Sequence, residues 1–165
     1  MATFILFVIL TNSQRPPVLQ SVYFIPHVVV YMFAYAVIWG VVILFFGTQM
    51  TRKTRICADN ICDLLVKVGT VTLGIGLCLG ALWAKKAWGQ YWSWDIKETA
   101  ALITWLIFLL YLHLAKIKKI NRKILLIILM VGFLSLNFTW FGVKYLPAAQ
   151  KSAHSFYSTR GANVF

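Results

Sequence analysis

Four runs of roughly twenty apolar residues, separated by short basic or aromatic segments, restrict what this chain can become. A helix rises about 1.5 Å per residue, so each run matches a bilayer's hydrocarbon core of about 30 Å. Lipid supplies no hydrogen-bond partners, which leaves helices or closed barrels as spanning structures. No strand-like alternation runs through the chain. The sequence therefore predicts an all-α fold, a polytopic membrane helix bundle of about four transmembrane helices, forming a single membrane domain over residues 1–165. The spans are expected at about 22–48, 60–83, 98–115 and 124–143. Composition agrees, with 61% hydrophobic and only 12% charged residues. A soluble domain carries about 25% charged residues. Residues 1–11 are apolar but too short to span, and they lack the basic start and small-residue cleavage site of a signal peptide. They read as the tail of a helix that Pro16 and Pro17 then terminate.

The net charge is +12, from 16 basic and 4 acidic residues. No nucleic acid partner is expected, because the charges sit in short clusters between apolar runs; the partner they imply is the lipid bilayer surface. The densest cluster is 116–123. The positive-inside rule then puts the 49–59 and 116–123 loops in the cytoplasm. The segment 85–98 and both termini become extracytoplasmic. Cys57 and Cys62 fall in the inner loop, and Cys78 reads as small core filler. No Cys-x-x-Cys-His motif is present, so the chain is not itself a c-type cytochrome.

The segment 85–98 is a tryptophan-rich loop. Trp88, Tyr91, Trp92 and Trp94 crowd around Gly89. Aromatic residues collect at membrane interfaces, and indole faces also stack on flat apolar ligands. Composition alone leaves a belt and a ligand platform equally open. Lys85, Lys86 and Lys97 flank the loop; they either snorkel to headgroups or pair with a ligand's carboxylates. Asp95 and Glu98 have the spacing of a capping box for the third span, with a catalytic carboxylate pair as the alternative.

The chain has three histidines. The four-span topology puts His27 and His154 on the side of the tryptophan loop. His113 follows Glu98 by 15 helical residues, about 22 Å, so it cannot share a site with them and stands apart at the inner end. Two histidines across a stacking surface suit a six-coordinate haem iron, with neutral imidazole as the ligand.

The run Trp88-Gly-x-x-Trp92-x-Trp94-Asp95-x-Lys97-Glu98-Thr99, followed by Leu102-Ile-Thr104-Trp105-Leu106, resembles the signature of the haem-handling, tryptophan-rich (WWD) superfamily. The Lys-Glu-Thr ending is similar to the CcsA (ResC) family of cytochrome c biogenesis. Further matches are Pro17 to Ser21, Ile25-Pro26-His27-Val28, Tyr111-Leu-His113 and His154-Ser155. The resemblance implies a haem-binding membrane subunit of a cytochrome c haem lyase, with haem b as cofactor. It would act with a CcsB (ResB) type partner on apocytochrome c bearing Cys-x-x-Cys-His. It also implies that His27 and His154 are axial ligands of an outer haem and that His113 belongs to an inner, membrane-embedded haem site. The platform would comprise Trp88, Tyr91, Trp92, Trp94 and Asp95, with Lys85, Lys86 and Lys97 beside the propionates. The membrane would be the bacterial cytoplasmic membrane or, alternatively, the thylakoid. The chain departs from the pattern at Ile96, Ala100 and Ala153, and it corresponds to the carboxy-terminal spans of longer members. A haem carrier that serves a separate synthase, and a transporter or structural subunit with an enlarged aromatic belt, are the rival readings.

Overall fold

The computed structural model describes residues 21–47, 52–117 and 120–146. Among these the regular secondary structure is all helical. Helix α1 runs Phe24–Gly47, α2 Arg52–Trp88, α3 Ile96–Ala115 and α4 Arg122–Asn137. Helix α4 continues into a π-helical turn, Phe138–Gly142, and a 3-10 turn, Val143–Tyr145. Four stretches are long and apolar enough to cross a membrane: Phe24–Gly47, Asn60–Trp88, Ile96–Ala115 and Arg122–Gly142.

The helices pack in chain order, α1 along α2, α2 against α3 and α3 against α4. The core is one stripe per helix: Ala34, Ile38 and Val41; Val66, Thr70 and Leu73; Thr104, Phe108 and Tyr111; Leu129 and Leu136. Spacings of three, four or seven place each set on one helical face. The opposite faces, with Val71, Ile75, Ile127 and Leu134, are exposed and suit lipid.

Lipid is as apolar as leucine, so burial alone does not bring these helices together; close approach and interhelical hydrogen bonds do. Gly132 lies beneath the Phe108 ring, where a Cβ would come within 3.0 Å of it. The indole of Trp105 donates to the Thr70 carbonyl at 3.0 Å, tying α3 to α2. Tyr111 donates to the Asp63 carboxylate at 2.7 Å and Tyr35 to the Asn137 side-chain oxygen at 2.8 Å. Between α3 and α4, the Thr104 hydroxyl lies 2.7 Å from that of Ser135 and 3.1 Å from that of Thr139.

Three local expectations change. The 49–59 segment, expected as a loop, is helical from Arg52, because nothing between Arg52 and Asn60 breaks a helix. Cys62 is accordingly buried on α2 rather than in a loop, whereas Cys78 is exposed on the outer face rather than in the core. The tryptophan segment is also shorter than 85–98, since its first residues complete α2 and its last begin α3, leaving 89–95 as the link.

Phe108 is fully buried and Ile127 is 61% exposed. Phe108→Ala should therefore cost about 3 kcal/mol through the cavity it leaves. Ile127→Ala should cost less than about 1 kcal/mol, because lipid replaces the lost contacts. Denaturant titration of the purified protein in detergent measures both.

Candidate functional site

At one end of the bundle the start of α1, the end of α2, the start of α3 and the π turn after α4 converge. They enclose a cavity of about 280 Å³. His27 and Tyr31 line it from α1, Trp83 from α2, Trp92 from the link, Glu98 from α3 and Thr139 from the π turn. The π turn carries one extra residue in its hydrogen-bonded ring, and such turns recur at functional sites. Here it delivers Thr139 and Trp140 to the cavity wall.

His27 sits in the second turn of α1, just after Pro26, which a first helical turn tolerates. Its Nδ1 lies 2.9 Å from the Gly76 carbonyl oxygen. A carbonyl can only accept, so Nδ1 carries the proton and Nε2 carries the lone pair of the neutral ring. Trp83 lies nearly parallel to the imidazole, 15° between planes with centroids 6.1 Å apart. Tyr31 meets it edge-on at 5.0 Å. The array continues from Trp83 to Phe24 at 5.5 Å and to Trp88 at 4.8 Å.

The link between α2 and α3 is built by two caps. Gly89, at φ +84, ends α2 in a conformation that glycine adopts without strain. The Lys85 ammonium donates to the Gly89 carbonyl at 2.9 Å and covers the Tyr91 ring at 5.2 Å. On the other side Asp95 and Glu98 form a complete capping box for α3. The Asp95 carboxylate accepts from Lys97 N–H at 2.8 Å. The Glu98 carboxylate accepts from Ser93 N–H at 2.8 Å, the Ser93 hydroxyl at 3.2 Å and Asp95 N–H at 3.3 Å. These bonds bracket Trp94, a non-glycine residue at φ +57. A conformation of that kind costs on the order of 1–2 kcal/mol.

The site residues expected from sequence are distributed as follows. His27, Trp92 and Lys97 line the cavity. Trp88 packs beneath it on Trp83. Tyr91 and Trp94 are exposed on the link, Trp94 at 70%. Trp92 and Trp94 stand at 84° to each other, so a flat ligand lying on the face of one meets the edge of the other. Lys86 covers the Tyr23 ring at 4.9 Å, away from the link. Asp95 acts as the cap just described. His113 is exposed in the last turn of α3, at the far end of the bundle. His154 lies outside the described residues.

Sequence reasoning overlooked Trp83, Tyr31, Gly76, Gly80 and Thr139. One signal was available: Gly76, Gly80 and Trp83 fall at helical spacings of four and three, which aligns them on one face. That face is where α1 seats His27.

The residues present fit a flat, largely apolar, metal-bearing macrocycle. The walls are mostly aromatic and aliphatic, and an imidazole is held through its second nitrogen, as metal-binding histidines usually are. The buried Trp92 indole N–H has no acceptor among the described residues. The cavity is at the small end of the range for ligand pockets, so it would take an edge of such a ligand, with the rest over the link.

The family model described as cytochrome C assembly protein matches residues 1–149. Among curated proteins, the chain is 46% identical over 98 residues to the cytochrome c biogenesis protein CcsA of Porphyra purpurea, covering 59% of this chain and 30% of that one. It is 42% identical over 115 residues to CcsA of Cuscuta exaltata, covering 70% and 36%. It is 44% identical over 94 residues to CcsA of Lotus japonicus, covering 57% and 29%. The chain thus spans about a third of the length of the curated relatives it matches. No solved structure matches it.

Glu98→Ala removes the acceptor of three donors around Trp94 and should destabilise the start of α3 by about 1–2 kcal/mol. Glu98→Gln, which keeps an acceptor oxygen, should retain most of the parental stability. Amide hydrogen exchange at residues 93–98 measures both.

Proposed function

The chain belongs to the cytochrome C assembly protein family, and from that premise we propose that it is a haem-binding membrane subunit of a cytochrome c synthase. It receives haem at the tryptophan end of the bundle and presents it for attachment to apocytochrome c. Haem b is the form that still carries both vinyl groups, and its iron accepts imidazole ligands. The observation that carries the reading is His27, held through Nδ1 on the Gly76 carbonyl in the wall of an aromatic cavity at the end that bears the tryptophan link.

The chain's residues divide the work. His27 would hold the iron through Nε2, and His154, in the tail beyond the described residues, would supply the second imidazole. Trp92 and Trp94 would hold the macrocycle at the link, while Trp83 lies beside His27 and Trp88 packs on Trp83. Lys97 at the cavity and Lys85 beside the link place positive charge where propionates leave the apolar walls. Asp95 and Glu98 hold the link rather than react: their carboxylates are committed to backbone and hydroxyl donors. Strain at Trp94 supports this reading, because an indole held at positive φ and left 70% exposed gains little from packing.

The tryptophan end is the extracytoplasmic end in this proposal, since the Arg122 and Lys123 cluster lies at the opposite end of α4. A CcsB-type membrane protein completes the synthase. His113, at the far end of α3, serves haem on its way across.

The visible spectrum of the purified chain tests the ligand assignment. The parent should show the sharp bands of bis-histidine haem. His27→Gly and His154→Gly should each lose them and regain them with added imidazole, whereas His113→Ala should keep them. Parental bands in both glycine variants would refute the axial ligands. Trp94→Gly should relieve backbone strain, leaving stability unchanged or raised by up to about 1 kcal/mol, yet lower haem occupancy, as thermal unfolding and the haem-to-protein absorbance ratio would show.

A further inference from the structure

Two glycines one turn apart on α2 reach the imidazole of His27, Gly76 through its carbonyl and Gly80 through its open face. The carbonyl of Gly76 holds Nδ1 at 2.9 Å. Gly80 provides the space: a Cβ built there would lie 2.8 Å from Cε1 and 3.1 Å from Nδ1 of His27, and its next nearest neighbour, at 3.6 Å, is Nε2 of the same ring. The three closest atoms to that position therefore all belong to one side chain. A real Cβ contact below 3.0 Å does not persist, so an added methyl group would turn the ring off the Gly76 carbonyl. Trp83, stacked at 15°, restricts the directions in which the ring can yield.

We propose that Gly76 and Gly80 are positioning residues for His27: they hold its ring as the Nδ1–H tautomer and thereby make Nε2 the metal-binding atom. The inference rests on the haem-binding reading above and deepens it. An imidazole in solution interconverts its tautomers and rotates; this one is held in a single tautomer and orientation before any ligand arrives. Second partners of metal-binding histidines set both orientation and basicity, and their loss commonly lowers metal affinity ten- to a hundredfold. Gly80 acts without touching the ligand. Its contribution is an absent methyl group, and the Gly76 contribution is a backbone oxygen that no side-chain substitution removes, so the effect is reached through Gly80.

The experiment compares the purified parent with Gly80→Ala, His27→Gly and the double variant. In the haem-free proteins, nitrogen-15 NMR of labelled histidine should show His27 of the parent locked with the proton on Nδ1. In Gly80→Ala it should show averaging between tautomers. With haem titrated in, Gly80→Ala should bind ten- to a hundredfold more weakly and lose the bis-histidine bands. In the His27→Gly background, with imidazole supplied, Gly80→Ala should change neither affinity nor spectrum, because the ring it displaces is gone. Gly40→Ala, where a Cβ meets nothing within 4 Å, is the control and should match the parent.

A Gly80→Ala protein with the parental tautomer and affinity overturns the proposal. An equal loss in both backgrounds also overturns it, since that is what mere separation of α1 from α2 would produce. If Gly80→Ala alone fails to fold, the double variant decides: recovery of folding supports a clash with His27, and continued misfolding contradicts it. A parent chain with a locked tautomer but no haem band would instead reject the haem-binding reading and leave the positioning of His27 standing.

Discussion

The close approach of α1 to α2 is the contact on which the rest of this structure depends. Gly69 lies under Ile38, Gly76 under Tyr31 and Gly80 under His27. In water such a pair could be held by apolar burial, but in lipid it is held by contact distance and by the few polar bonds that short distance allows. The His27 to Gly76 bond is one of them. Move the helices apart by a methyl group and the bond fails, the ring loses its orientation and the cavity loses its most chemically able wall.

The same end of the bundle is finished by rigid short-range chemistry. Gly89 stops α2, the Asp95 and Glu98 box starts α3, and Glu98 also clamps Ser93. The link is therefore pinned from both sides, and Trp94 is kept in a backbone region that most residues avoid. Local strain held by a surrounding network is common where a ligand is handled. The Thr104, Ser135 and Thr139 hydroxyls do similar work one layer deeper: they tie α3 to α4 where the helix departs from α geometry, and so support the cavity floor.

Much of this was legible in the residues. Four spans follow from the length of the apolar runs, and the capping box follows from the spacing of Asp95 and Glu98, because both patterns are local and rest on helix periodicity and hydrogen-bond reach. The second span begins near Asn60 as its hydropathy indicates, but its helix begins earlier, at Arg52, because hydropathy marks where lipid begins and not where a helix begins; Arg52 to Asn60 is polar yet has no breaker. The relative orientation of the tryptophans was also beyond the sequence. A cluster of indoles suggests one flat platform, but the turn at Trp94 sets its ring nearly perpendicular to that of Trp92. The part Trp83 plays was beyond the sequence as well, because it depends on His27, which is distant in sequence and meets it only through helix packing.

The central claim is that His27, seated on α2, is an iron ligand at the tryptophan end. The most direct measurement is electron paramagnetic resonance of ferric haem bound to the chain with His113 and His154 both replaced by alanine, so that His27 is the only histidine left. Nitrogen-15 labelling confined to histidine identifies the coordinating nucleus. The account predicts haem retained with hyperfine coupling to a single histidine nitrogen. Loss of haem from this variant, or bound haem without that coupling, would contradict it.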